Sequence, residues 1–208
     1  MKAFVYAGGR IFPEGIADSP ATGDLTVAAD SGWKNAQALG VTPALLVGDF
    51  DSLGEPEVPA ETEILRVPAE KDDTDTQLAV RTAVARGAKE LILIAGMSGR
   101  VDHTLSTLAL LEELHTRGVR AVLTDGKNRV RYLENDSLLL LREKRFRYLS
   151  LIAVTEKVRG VTLEGCKYPL KNATLLRRDQ YAVSNEIEGN AALIDIRRGA
   201  VYVIESGD

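Results

Sequence analysis

Up to about Asp125 the chain alternates short apolar runs with longer segments of mixed character. The runs cover residues 3–7, 25–29, 44–47, 63–67, 90–95 and 120–124. Apolar runs of this length, separated by helix-length stretches, predict a mostly parallel sheet with helices on its faces. Residues 74–86 carry Leu78, Ala79, Ala83 and Ala85 and stop at Gly87, which predicts an amphipathic helix ended by a glycine. Residues 103–117 predict a second helix, with Leu105, Leu108, Leu111 and Leu114 forming one buried stripe and Gly118 as terminator.

The pattern changes after the turn signal Asp125-Gly126. Short segments follow at residues 129–133, 137–141, 148–154, 158–163, 191–196 and 200–204. Leu193, Asp195 and Arg197 alternate with Ala192, Ile194 and Ile196, the two-residue period of a half-buried strand. No helical period stands out here. The fold class expected is therefore α/β. A doubly wound, mostly parallel domain spans residues 1–125, and a smaller all-β sandwich spans 126–208.

Composition narrows the function. The 208 residues hold 26 Lys and Arg against 30 Asp and Glu, a formal charge of -4, which offers no basic surface of the kind nucleic acids require. One cysteine, Cys166, rules out an internal disulfide and a thiolate zinc cluster, and suits a small buried filler in a reducing compartment. The apolar run at residues 3–7 is too short for a secretory signal. No stretch approaches the roughly 20 apolar residues that span a bilayer. A cytoplasmic protein without nucleic-acid or membrane partners is expected.

Three polar clusters carry the chemistry. Asp49 and Asp51, in Gly48-Asp49-Phe50-Asp51-Ser52, follow an apolar strand, and residues two apart along an extended chain face the same way. Crowded carboxylates at a strand end suit a hard divalent cation, although an Asp-rich turn would also cap the next segment. Lys71-Asp72-Asp73-Thr74-Asp75 opens the first helix, where acidic residues serve as caps. Asp72 and Asp75 share a face and Asp73 should point elsewhere. Lys71 is the wrong charge for a helix N-terminus, a conflict that a bound phosphate would resolve. The third cluster runs from Gly96-Met97-Ser98-Gly99-Arg100 into Asp102 and His103, another strand-to-helix turn suited to phosphate. Neither a P-loop nor a dinucleotide fingerprint occurs. His103 reads either as an acid–base group or as a packing residue of the first turn, and His115 reads as surface.

Taken in order, these residues resemble the thiamine pyrophosphokinase family. The resemblance runs through Ala29-Asp30-Ser31-Gly32, Pro43 to Ser52, Lys71 to Asp75, Ser98 to His103, Gly165-Cys166-Lys167-Tyr168-Pro169-Leu170 and Ser184-Asn185-Glu186. It implies transfer of the diphosphoryl group of ATP to the hydroxyl of thiamine, giving thiamine diphosphate and AMP. It also implies a homodimer with thiamine sites between subunits. Mg2+ would lie among Asp49, Asp51, Asp72 and Asp75, with Lys71 and Arg100 on the phosphates and Asp102 nearby. Asp30, Ser52, Thr74, His103, Ser184 and Asn185 would face the substrates. Asp72 or Asp102 would take the hydroxyl proton. The chain departs from the family where Ser31-Gly32 and Ser98-Gly99 replace frequent Gly-Gly pairs and Thr107 replaces a common Asn. Its only Trp, Trp33, lies far from the C-terminus, where some members place an aromatic on thiamine. Two other readings use the same charges: a diphosphokinase or nucleotidyltransferase for another heterocyclic alcohol, such as a pterin, and a non-catalytic nucleotide or thiamine sensor. Ser184-Asn185 argues against the first, and the full carboxylate set with Lys71 and Arg100 argues against the second.

Overall fold

The apolar runs of the first half become strands in a computed structural model that describes residues 1–50, 58–68 and 72–208. These residues divide into two units, Met1–Gly126 and Lys127–Asp208. The first unit follows the order β1 (Lys2–Tyr6), β2 (Leu25–Ala29), α1 (Gly32–Ala38), β3 (Leu45–Gly48), β4 (Glu63–Arg66), α2 (Asp75–Ala85), β5 (Glu90–Ile94), α3 (Val101–Thr116) and β6 (Arg120–Thr124). Its strands lie in the order β4-β3-β2-β1-β5-β6 and pair in parallel throughout. The order reverses at β1, which has β2 on one side and β5 on the other. In an open α/β sheet this switch point is where a crevice forms at the carboxyl ends of the strands.

Alternation along the central strands decides which helix lies on which face. Phe4, Tyr6, Ile92 and Ile94 cluster with Ala36 of α1. Ala3, Val5, Leu91 and Leu93 point the other way, and all are buried. That second face takes α2, which packs on β1, β2 and β3, and α3, which packs on β6 and α2. The two helices are also tied by charge. Arg81 of α2 holds Asp73 through Nη1 at 2.8 and 2.7 Å and Glu113 of α3 through Nε at 3.0 Å.

The leucine stripe predicted for α3 is only half right. Leu111 and Leu114 are buried with Leu110 and Thr107, but Leu105 is 62% exposed. Steps of three residues fall about 60° short of a full turn, so a stripe at that spacing rotates off the buried face within three steps. The face that stays covered is set by Thr107, Leu110, Leu111 and Leu114, which mix three- and four-residue steps.

The second unit contains β7 (Asn128–Glu134), β8 (Ser137–Leu141), β9 (Tyr148–Ala153), β10 (Lys157–Glu164), β11 (Leu170–Leu176), β12 (Ala191–Arg198) and β13 (Ala200–Ser206). One antiparallel layer has the order β7-β13-β9 and the other β11-β10-β12-β8. Leu133, Leu151, Val201 and Val203 of the first layer meet Val161, Leu163, Ile194 and Ile196 of the second in a single core. Strand β11 has no counterpart in the apolar pattern, because of its seven residues only Leu175 is buried. It forms an edge, paired with β10 along its backbone and anchored to the core by Leu175, with Leu170 and Ala173 packed beside it. Among the described residues, no helix is long and apolar enough to cross a membrane.

Candidate active site

Loops from the carboxyl ends of β1, β2, β3 and β5 enclose a cleft of about 720 Å³ in the first unit. Gly8 and Gly9 come from the first loop, Asp30 and Ser31 from the second, Asp49 from the third, and Gly96, Ser98 and Arg100 from the fourth. Asp73 and the first turn of α2 (Thr74, Asp75, Thr76) complete the wall with His103 and Thr107 of α3. The cleft therefore sits at the topological switch point, and its lining holds four aspartates.

Close backbone approach makes this convergence possible. A Cβ on Gly32 would lie 2.0 Å from the carbonyl oxygen of Tyr6, so only glycine lets α1 begin against β1. A Cβ on Gly48 would come within 3.2 Å of the Asp30 side chain, and the Asp30 N–H donates to the Val47 carbonyl at 2.8 Å. Asp30 itself has φ 44° and is 8% exposed, with Oδ1 sealed from solvent. A carboxylate held this deep beside a second one, Asp49, favours a cation between or near them.

The remaining loop contacts brace the rim. Asn35 of α1 donates to the carbonyls of Ala7 at 2.7 Å and Gly9 at 2.9 Å. Ser98 Oγ accepts from the Arg10 N–H at 2.7 Å, joining the loops after β1 and β5. Thr107 Oγ1 donates to the His103 carbonyl at 2.8 Å, and its methyl lies where a Cβ on Gly96 would be 3.0 Å away. The hydroxyls at two of the positions that depart from the family pattern, Ser98 and Thr107, are thus part of the loop packing.

Within the acidic loop before α2 the roles separate. Thr74 caps the helix, its hydroxyl accepting from the Gln77 N–H at 3.2 Å. Asp75 and Asp73 line the cleft, whereas Asp72 is exposed and lies outside the lining. Spacing alone turns Asp73 away from the face that Asp72 and Asp75 share. The structure puts it on the cleft wall and commits its carboxylate to Arg81. Asp73 precedes α2 and Arg81 lies within it, so no helical spacing marks the pair in the sequence. Asp51, Ser52 and Lys71 lie outside the described residues.

Arg100 precedes the first turn of α3 and reaches the cleft while gripping Asp102 through Nε at 3.1 Å and Nη2 at 2.6 Å. The pairing raises the Arg100 pKa and holds the Asp102 carboxyl below the usual carboxylate range, with the His103 N–H adding to the latter effect. His103 lines the cleft and is exposed, and His115 is exposed on the last turn. Trp33 is buried with Ala28, Leu46 and Phe50 in the core of this unit.

Ser184 and Asn185 belong to the second unit. Ser184 is exposed, with φ 59°, and its N–H donates to Ser150 Oγ at 2.9 Å. Asn185 is buried and its amide makes three hydrogen bonds. Oδ1 accepts from the N–H groups of Tyr168 at 3.0 Å and Glu186 at 2.9 Å, and Nδ2 donates to the Tyr168 carbonyl at 2.7 Å. Asn185 thereby fixes the 168–170 turn beside a hollow of about 290 Å³ walled by Tyr168, Pro169, Leu170, Tyr181 and Val183. Cys166 is buried next to this turn and bridges to Ile187, and burial with Glu188 nearby pushes its thiol up to about 11.

Comparison with known proteins matches both halves. The family described as thiamin pyrophosphokinase, catalytic domain, matches residues 20–123, and thiamin pyrophosphokinase, vitamin B1 binding domain, matches residues 137–201. Thiamine pyrophosphokinase of Bacillus subtilis is 30% identical over 189 residues, covering 88% of each chain. The crystal structure of the Bacillus subtilis thiamine pyrophosphokinase superposes with a TM-score of 0.88 at 25% identity and full coverage of both chains. A thiamin pyrophosphokinase family protein from Enterococcus faecalis gives 0.84 at 34% identity, again over both whole chains.

Proposed function

Because this chain belongs to the thiamine pyrophosphokinase family, we propose that the acidic cleft of its first unit is where ATP gives up its diphosphoryl group. The enzyme is a thiamine diphosphokinase, with thiamine and ATP as substrates and thiamine diphosphate and AMP as products. The observation that carries the assignment is the convergence of Asp30, Asp49, Asp75 and Arg100 on one cleft at the switch point of the sheet.

The donor chemistry of this cleft fits Mg2+, because its acidic groups are all hard carboxylate oxygens and Asp30 is nearly sealed from water. Among the described residues no three acidic side chains form a closed metal cluster. Asp49 and Asp75 would hold the ion, with Asp51 outside the described residues and Asp72 joining them only on the family motif. Bound there, Mg2+ would neutralise phosphate charge.

The residues do the rest by position. Transfer forms a bond from the thiamine hydroxyl oxygen to the β-phosphorus and breaks the bond from that phosphorus to the α–β bridging oxygen, which leaves with AMP. Arg100 offers its guanidinium to the charge that builds up on the phosphoryl oxygens, and Lys71 acts beside it on the motif's evidence. Asp102 is committed to Arg100 and held in its ionised form, so it aims the guanidinium. Asp72, the other carboxylate nominated for the hydroxyl proton, is exposed outside the lining, so that role rests on the family motif alone. Ser31, Thr74 and His103 shape the nucleotide side, while Ser184 and the turn fixed by Asn185 belong to the thiamine side.

A homodimer is supported by apolar side chains on the outer surface of the second unit. Leu139 and Leu141 of edge strand β8 are 63% and 69% exposed, and Leu139 pairs across to Leu193, itself 38% exposed. A reducing cytoplasm is supported by the lone thiol, Cys166. Incubation with Mg2+, ATP and thiamine tests the reading: AMP and thiamine diphosphate should appear in equal amounts. ADP as the nucleotide product, or normal turnover by Asp49→Asn, would overturn it.

A further inference from the structure

The second unit has a concave basic surface that the reaction described above does not use. The link between β8 and β9 reads Arg142-Glu143-Lys144-Arg145-Phe146-Arg147, four cations and one acid in six residues of a chain whose net charge is -4. Arg142, Lys144, Phe146 and Arg147 line a cleft of about 550 Å³, and Glu186, Ile187, Gly189 and Asn190 form its opposite wall.

What matters is where the acids go. Glu143 accepts from Arg129 Nη1 and from Arg145 Nε at 2.8 Å, so the only acid of the link is consumed by two arginines outside the lining. Those same guanidiniums flank the Phe146 ring, each 4.7 Å from its centroid, and Arg129 is further held by buried Glu205. The floor is therefore built from the interior outward. On the opposite wall, Glu186 is 3.8 Å from Lys167. Arg147 has a distant contact with exposed Asp208 at 3.5 Å, and no carboxylate of the described residues pairs with Arg142 or Lys144. The Arg142 N–H donates to the Asn190 carbonyl at 2.8 Å, which joins the two walls.

We infer that this cleft is a diphosphate-binding site. Two arginines with planar forks and one lysine at the mouth of a rigid concavity match the oxygens of a diphosphate, and the charge discriminates among the molecules this enzyme handles. Thiamine carries a cationic thiazolium, which the cleft repels. A diphosphate ester carries negative charge, which it attracts. The site takes the diphosphate group whether it is borne by thiamine diphosphate or by a nucleotide.

Titration calorimetry in EDTA, which withholds Mg2+ from the acidic cleft, tests this with inorganic pyrophosphate as the probe. Saturable binding at one per chain is expected, weakening steeply with salt. Arg142→Ser combined with Arg147→Ser should weaken it at least ~10-fold, and Lys144→Glu alone should do so by a similar factor, with unchanged circular dichroism in both. Asp49→Asn should leave the affinity as it was. Tighter uptake of thiamine diphosphate than of ADP makes the product the natural occupant, and the reverse order makes it the nucleotide; both support the site. Absence of saturable pyrophosphate binding overturns it. So does unchanged affinity in the folded Lys144→Glu protein, or loss of binding in Asp49→Asn. None of these results depends on turnover, so the assignment of the acidic cleft stands or falls separately.

Discussion

The acidic cleft of the first unit and the basic cleft of the second are built by the same device, in which ionic groups of the segment are tied up in internal ion pairs. In the first, Asp73 is held by Arg81 and Arg100 by Asp102, in a lining that also includes Asp30, Asp49 and Asp75. In the second, Glu143 is held by Arg129 and Arg145, while Arg142, Lys144 and Arg147 face outward. A count of charges along either segment misjudges both. They differ in construction. Four separate loops at strand ends make the acidic cleft, so its geometry depends on close packing around Gly32 and Gly48. The single link between β8 and β9 supplies half of the lining of the basic cleft and all of its cations, so its geometry depends on a local aromatic and ionic floor.

The sharpest way to break this contrast is Asp49→Asn. It removes charge from the acidic cleft alone, and turnover measured by AMP release should fall about 10²–10³-fold while the fold, followed by circular dichroism, survives. Near-normal turnover would remove Asp49 from the reacting centre. Arg81→Met should lower the midpoint of urea unfolding, because it leaves Asp73 and Glu113 facing each other without their shared cation. Adding Asp73→Asn should recover part of that loss, and strict additivity would show that the pair is not coupled.

Asn185→Ala tests the thiamine side. Three hydrogen bonds to the 168–170 turn and Glu186 disappear, so stability should drop by about 1–2 kcal/mol, and the KM for thiamine should rise more than the KM for ATP. Equal changes in both would make Asn185 merely structural. The smallest effect expected is at Cys166. Its folded pKa of about 11 lies above the ordinary thiol value of 9.0, so the native state holds its proton after the unfolded chain has lost it. Stability from this thiol is complete below pH 9 and is lost as pH rises toward 11. Cys166→Ala should flatten that part of the stability–pH curve, and an unchanged slope would assign it to other groups.

Much of the architecture was legible in the residues. Strands β1, β2, β3 and β5 are apolar runs buried on both faces, and in such runs hydrophobicity, length and spacing all agree. The switch from crossover helices to short alternating strands was equally plain. Strand β11 was not visible, since Lys171, Asn172 and Thr174 interrupt any apolar period, and its pairing with β10 and the packing of Leu175 appear only in the fold. Leu105 was misplaced because helical phase, which its hydrophobicity cannot reveal, turns it to solvent. At the site, Asp49, Thr74, Asp75, Arg100 and His103 could be nominated from motifs beside strand ends. The commitment of Asp73 to Arg81, and the use of the Asn185 amide to hold Tyr168, could not.

The linear order of apolar and acidic residues was enough to determine the kind of fold and the chemistry at its strand ends, because burial periodicity and local charge density are properties of neighbours along the chain. Which charges remain available to a ligand was decided only in three dimensions. An ion pair such as Arg81 with Glu113, or Arg129 with Glu205, joins residues far apart in sequence, and only the packed structure brings them within hydrogen-bonding distance.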